Sequence, residues 1–253
     1  LVPAALFTIK NHPYEYMYYN EVVGGVKGAQ GNYDLDYWSQ SSKEAFEWAI
    51  ENIPEAKTKT IRLATNNIEP TLRGQVEGGD SFIHIWTREM QWYNKQADYS
   101  IFTSRTLSKN QILNGNWPPK GTIHEVKVDG ATVAAVVKNQ NKYAGDAYYA
   151  MSSNKPLEAL ALLKKAYAAN PKEEEYVRGI GVAYKAMQNW DSAILFLTKA
   201  AKLRDHNYEA QFNLGECYIN KATTANPNQP DPNLIAKAKD YFKKAASNKS
   251  NYA

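Results

Sequence analysis

Residues 156–218 read PLEALALLKKAYAANPKEEEYVRGIGVAYKAMQNWDSAILFLTKAAKLRDHNYEAQFNLGECY, and this stretch repeats itself. Ala159 and Ala166 return as Ala193 and Ala200, and Gly181 and Tyr184 return as Gly215 and Tyr218, each 34 residues later. The alanines of each set lie two turns apart on one helical face, with Leu163 or Leu197 between them. Small residues at Gly181 and Gly215 let one helix of a pair approach the other closely. Pro171 stands where a helix must stop. Asn189-Trp190 reads as the turn before a helix that Asp191 is placed to cap. The stretch therefore predicts paired antiparallel helices stacked at a fixed interval.

Period, residue types and offsets together resemble the tetratricopeptide (TPR) family over the last part of the chain. Three repeats are expected, at about 140–173, 174–207 and 208–252. The third carries Leu214, Gly215 and Tyr218, then Ala238, Phe242 and Ala245. It is 11 residues too long, and the surplus, 223–233, holds three prolines and three asparagines and reads as a loop. The first repeat has Ala147 and Ala150 where Gly and Tyr would stand, as an end repeat can. The resemblance implies a superhelix of three helix pairs whose first helices line a groove. Projection places Tyr148, Met151, Arg178, Val182, Lys185, Phe212, Glu216 and Ile219 there. The expected partner is a protein or peptide segment; the alternative is that three repeats only brace the adjoining domain.

The whole chain has 253 residues, 43% hydrophobic and 22% charged, which are globular values. Its formal charge of +4 is too small for a nucleic-acid binder, so no nucleic-acid partner is expected. Cys217 is the only cysteine, so no intrachain disulfide forms, and inside a repeat helix it reads as a packing residue. Residues 1–139 hold 14 basic and 15 acidic side chains; residues 140–253 hold 16 and 11. Five of the six tryptophans precede residue 140. The shift predicts an α+β two-domain protein: a small α/β domain with a mixed sheet over 1–139, then the all-α array over 140–253.

In the front domain, Ser41 and Glu44 read as a capping box opening a helix with Ala45, Trp48, Ala49 and Ile53 on its apolar stripe. Strands are expected at 60–65, 81–86, 99–103, 122–128 and 132–137, the last two joined through Asp129-Gly130 as a two-residue hairpin. The tyrosines of 14–19 read as a strand or as a half-buried surface. Residues 1–9, LVPAALFTI, read as a core segment or as the stub of a membrane helix. No phosphate-binding glycine loop, hydrolase elbow or zinc-ligand spacing is present, so neither cofactor nor metal is expected. Asp34 and Asp36, two apart, would share a face on a strand, but acids in a glycine-rich segment are more often turn formers.

The run 9–38, IKNHPYEYMYYNEVVGGVKGAQGNYDLDYW, resembles the segment that follows the last membrane helix in bacterial membrane glycosyltransferases of the protein-mannosyltransferase-like type. The matching string is Asn11-His12-Pro13-Tyr14, Tyr18-Tyr19-Asn20, Gly24-Gly25, Gly28-Ala29-Gln30-Gly31 and Asp36-Tyr37-Trp38, with Tyr19 in place of the usual Phe. Residues 114–122, NGNWPPKGT, add to it, and the resemblance covers about 8–138. It implies a non-catalytic domain on the outer face of the cytoplasmic membrane, with the membrane helices themselves as partners. The acidic loop that would carry catalysis in that family is not in these residues. His12, Asn20, Asp36 and Trp38 are the candidate glycan or membrane-side contacts. Trp38, Trp86, Trp92 and Trp117 are candidates to stack on sugar rings, though a buried tryptophan is more often simply core. Three functions stand: the periplasmic region of such a transferase with acceptor-positioning repeats, a freestanding exported TPR adaptor, or a glycan-binding domain.

Overall fold

The computed structural model describes residues 2–66, 79–87, 97–107, 109–113, 117–139, 142–204 and 206–250. Trp92 and residues 114–116 lie outside them. The chain divides into two compact units, Leu1–Lys142 and Tyr143–Ala253.

The first unit is built on one five-stranded mixed sheet. Its strands are β1 (Ile61–Thr65), β2 (Phe82–Trp86), β3 (Tyr99–Thr103), β4 (Thr122–Val128) and β5 (Ala131–Lys138), in the order β2-β1-β3-β5-β4. β1 runs parallel to β2 and β3, while β5 is antiparallel to β3 and β4. β3 is buried along its whole length and β5 along all but its last residue, so both are covered on two faces. Helix α3 (Gln40–Asn52) covers one face, laying Ala45, Phe46 and Ala49 against Leu63, Ile101 and Val136. Phe102, Leu107, Trp117 and Val137 close the other face. Asp129 and Gly130 both take positive φ, +48° and +74°, the geometry a two-residue primed turn needs. Ahead of the sheet lie α1 (Val2–Lys10), tight turns at Glu15–Met17 and Glu21–Val23, and α2 (Gly25–Ala29). The tyrosines of 14–19 are thus not a strand.

The expected capping box is corrected. α3 begins at Gln40, before Ser41, and the Asp36 carboxylate caps it, accepting from Gln40 N at 2.9 Å and Ser41 N at 3.2 Å. Asp36 outcompetes Ser41 because its left-handed backbone, φ +54°, turns the side chain back onto the first turn. Glu44 instead accepts from the Tyr14 hydroxyl at 2.5 Å.

The second unit is helical: α4 (Tyr143–Ser152), α5 (Pro156–Ala169), α6 (Glu174–Ala186), α7 (Trp190–Leu203), α8 (Tyr208–Ala225) and α9 (Pro232–Ser250). Each helix packs on the next. The turns between α4 and α5 and between α6 and α7 contain Asn154 and Gln188, both left-handed at φ +56° and +57°. A Cβ on Gly181 would stand 2.7 Å from Leu197 Cγ, and one on Gly215 2.7 Å from the Phe242 ring. The glycines therefore set how closely α6 meets α7 and α8 meets α9. Ala159, Leu163, Ala193, Leu197, Ala200, Ala238 and Ala245 are all buried.

Two local expectations change. Asn189, not Asp191, caps α7, accepting from Ser192 N at 3.2 Å; Asp191 pairs with Lys221 on α8. Residues 223–225 continue α8, with the Thr223 hydroxyl donating to Ile219 O at 3.1 Å. The connecting loop is only 226–231, because the helix-breaking signals begin at Asn226-Pro227.

Candidate functional site

Most of the motif string in the first unit is scaffold. Asn11 Oδ1 accepts from Asp129 N at 3.0 Å. His12 is exposed, its Nδ1 2.5 Å from Glu15 Oε1 in the following turn. Asn20 Oδ1 accepts from Val22 N and Val23 N at 3.1 and 3.3 Å. Gly28 touches backbone so closely that a Cβ would lie 1.9 Å from Val23 O.

Asp36, expected as a contact, is 2% exposed and unreachable by a ligand. It accepts from the Tyr16 and Ser41 hydroxyls, each at 2.5 Å, besides capping α3. Burial pushes its carboxyl above the usual range, and these hydrogen bonds pull it back. Asp34 and Asp36 do not form a carboxylate pair facing one cleft: Asp34 is exposed and ion-paired to Arg105.

What this anchor displays is Tyr37 and Trp38. Trp38 is 71% exposed, and its ring meets Tyr37 edge-on at 5.2 Å. Ser39 follows with φ +58°, so left-handed residues flank the pair. Arg105 fixes the platform from below: Nε donates to Asp34 Oδ1 at 3.0 Å, Nη1 donates to Tyr37 O at 2.9 Å, and the guanidinium lies 4.8 Å from the Tyr37 ring centre. Arg105 sits in the turn directly after β3. Strands β1 and β3 are sheet neighbours, although β1 is followed in sequence by β2 on its other side. This is a topological switch point, and the carboxyl ends of such strands are where open α/β sheets hold ligands. Asn66, just past β1, bridges the gap, donating to Thr103 O at 3.0 Å and accepting from Thr103 N at 3.0 Å.

Trp86, the last residue of β2, is exposed. Trp117 is buried and donates from Nε1 to Thr132 O at 2.7 Å, so it leaves the set of stacking candidates and joins the core. Neither Arg105 nor Asn66 stood out in the sequence, because their roles come from partners 37 to 71 residues away.

A cleft of about 600 Å³ lies beside α1 and is lined by Leu6, Phe7, Lys10, Tyr18, Tyr19 and Asp129 among others. Leu6 and Ile9 on α1 are exposed, and so is Val22, at 93%.

In the helical unit, the expected groove residues all lie on helices α4, α6 and α8. Tyr148, Phe212 and Ile219 are exposed. Met151 and Val182 are partly buried against neighbouring cores. Lys185 spans from α6 to α8, donating to Asn213 Oδ1 and Glu216 Oε2, each at 2.6 Å. Arg178 is the exception. It is largely buried, with Nη2 2.5 Å from Glu175 Oε2 and Nε 3.4 Å from Glu174 Oε1. Projection missed this because Arg204, in the α7–α8 connection, reaches the same acids at 3.5 and 3.8 Å and also pairs with Glu209. Asn207 caps α8 and donates to Glu174 Oε1 at 2.5 Å. Burial, then the neighbouring Glu175, pushes the Glu174 carboxyl up to about 7, against the pull of Arg178 and Arg204. This network pins the connection to α6 and offers little to a ligand.

No protein-family model matches the chain, and no curated protein is detectably similar to it.

Proposed function

We propose that the chain is the non-catalytic extracytoplasmic region of a bacterial membrane glycosyltransferase of the protein-mannosyltransferase-like type, followed by three TPR units that bind a protein or peptide segment. The observation that carries the binding role is the recurrence of one packing unit. Gly181 against Leu197 and Gly215 against Phe242 repeat the same close approach 34 residues apart in the glycines. Such stacks present their first helices as a continuous surface. Here that surface keeps Tyr148, Phe212 and Ile219 open while Lys185 and Glu216 neutralise each other. It therefore suits an apolar or aromatic segment rather than a free carboxylate.

The membrane-side placement draws support from α1. Its exposed Leu6 and Ile9 end at Lys10, and Tyr18 and Tyr19 follow close by, the apolar–cationic–aromatic order of a membrane boundary. Among the described residues no helix is long and apolar enough to cross a membrane.

The test has two arms. Selection of peptides on the 253-residue chain should yield apolar or aromatic sequences whose binding falls at least about tenfold in Phe212→Ala. Ligands insensitive to Phe212→Ala and Tyr148→Ala would refute the groove. Sugar transfer from a lipid-linked donor by this chain alone would refute the non-catalytic assignment.

A second reading rests on the exposed Tyr37–Trp38 platform, which presents aromatic faces beside the polar groups of Asp34 and Arg105. That combination fits the apolar face and hydroxyl edge of a neutral sugar ring. Glycan binding lost in Trp38→Ala with folding intact would favour it.

A further inference from the structure

The proposed groove uses only α4, α6 and α8, yet α5, α7 and α9 carry most of the helical unit's positive charge. Lys164, Lys165, Lys199, Lys202, Lys237 and Lys243 are all exposed, and among the described residues none has a carboxylate within ion-pair distance. Four are held over tyrosine rings instead: Lys164 over Tyr184 at 5.7 Å, Lys165 over Tyr143 at 5.5 Å, Lys199 over Tyr167 at 4.8 Å and Lys237 over Tyr218 at 5.6 Å. A ring orients an ammonium group without cancelling its charge. The exposed acids of these helices are engaged by other lysines, Glu158 by Lys155, Asp191 by Lys221 and Asp240 by Lys244, and Glu173, Glu174 and Glu175 are buried.

Two large apolar side chains break this basic surface. Leu157 is 74% exposed on α5 and Leu195 is 66% exposed on α7. Each is followed seven residues later by a lysine, Lys164 and Lys202. Seven residues are two turns, so leucine and lysine share one stripe about 10 Å apart along the helix. A lone exposed leucine is ordinary on a solvated face; here two of them share stripes with lysines that have no carboxylate partner among the described residues, and a purely ionic contact would not need the leucines. Apolar side chains in line with uncompensated ammonium groups suit the acyl–headgroup boundary of an anionic bilayer.

We infer that α5, α7 and α9 form a membrane-docking face, recognising anionic lipid headgroups through the lysines and inserting Leu157 and Leu195 at the boundary. The inference goes beyond the groove reading and does not depend on it, since it uses the other helix of each pair.

Co-sedimentation of the full chain with vesicles tests it. Vesicles of phosphatidylcholine with phosphatidylglycerol should bind the protein, and vesicles of phosphatidylcholine alone should not. Binding should fall steeply as salt screens the headgroups. Each lysine near the surface is expected to contribute about fivefold, so Lys164→Gln, Lys199→Gln, Lys202→Gln and Lys243→Gln together should weaken partitioning at least about a hundredfold. Leu195→Ser should weaken it about tenfold with the salt slope unchanged. All these positions are exposed, and an unchanged circular-dichroism melt confirms folding. No binding to the anionic vesicles, or binding that the lysine variants leave intact, overturns the proposal; the latter would locate the contact at α1. Tighter, lysine-dependent binding to poly-glutamate than to vesicles would also overturn it, reassigning the face to an acidic protein. Groove peptides that still bind the lysine variants would show that the two readings stand or fall separately.

Discussion

Replacing Gly181 by alanine sets two known effects against each other. In a helix interior the change gains about 1 kcal/mol of propensity. The new methyl, however, would lie 2.7 Å from Leu197 Cγ and 3.1 Å from Leu197 N, and Leu197 is fully buried. A backbone nitrogen and a branch carbon cannot swing aside, so α6 and α7 must separate. Overpacking of this kind costs about 1–3 kcal/mol, and here the upper part of that range applies. The net expectation is a loss of about 1–2 kcal/mol, or roughly 5–10 °C in the melting midpoint. Gly179 supplies the internal control. Its methyl would meet Leu163 Cδ2 at 2.9 Å, the far end of a flexible side chain, so Gly179→Ala should be close to neutral. Urea denaturation and hydrogen exchange across α6 and α7 read both variants. A Gly181→Ala protein more stable than the parent by the full propensity gain would show that these helices are not in the close contact on which the repeat argument rests.

Gly28→Ala should cost more than about 3 kcal/mol, seen as loss of near-ultraviolet circular dichroism, because its Cβ would fall 1.9 Å from a backbone oxygen. Asp36→Ala should destabilise the first unit by about 2–3 kcal/mol, losing the α3 cap and stranding the Tyr16 hydroxyl, while Asp36→Asn, which tolerates the left-handed backbone, should cost less than half of that in the same denaturation assay. The Glu174 carboxyl is raised from 4.5 to about 7, so the folded state holds the extra proton between those values. Stability of the helical unit should therefore decline as pH rises through that window, and Glu174→Gln should flatten the urea midpoint against pH.

The parts of the fold written in local pattern were legible. β3 and β4 occupy the expected residues because β-branched and aromatic runs end at clear turn signals, and Asp129-Gly130 fixes the hairpin between β4 and β5. The close approach of the helices was legible because small residues are needed wherever two helices touch. Asp36 was misread: its place in the motif string made it a candidate contact, whereas its left-handed backbone hides it under Tyr16 and Ser41. Arg178 was misplaced because projecting one helix ignores the connection carrying Arg204. Arg105, which steadies the aromatic platform, bears no motif at all, since it serves a loop 68 to 71 residues earlier in the chain.

The tie between the end of α1 and the β4–β5 turn has a mechanical corollary. Asn11 takes a hydrogen bond from the Asp129 amide, 118 residues away, and the Asp129 carboxylate takes one from the Val26 amide. Tension applied along α1 would thus be delivered to the hairpin tip first and, through the inner strand β5, to the middle of the sheet. A tug on residue 10 would strain the unit along its longest strands before it loosened α3, making the hairpin the strut through which the front of the chain pulls on the rest of its unit.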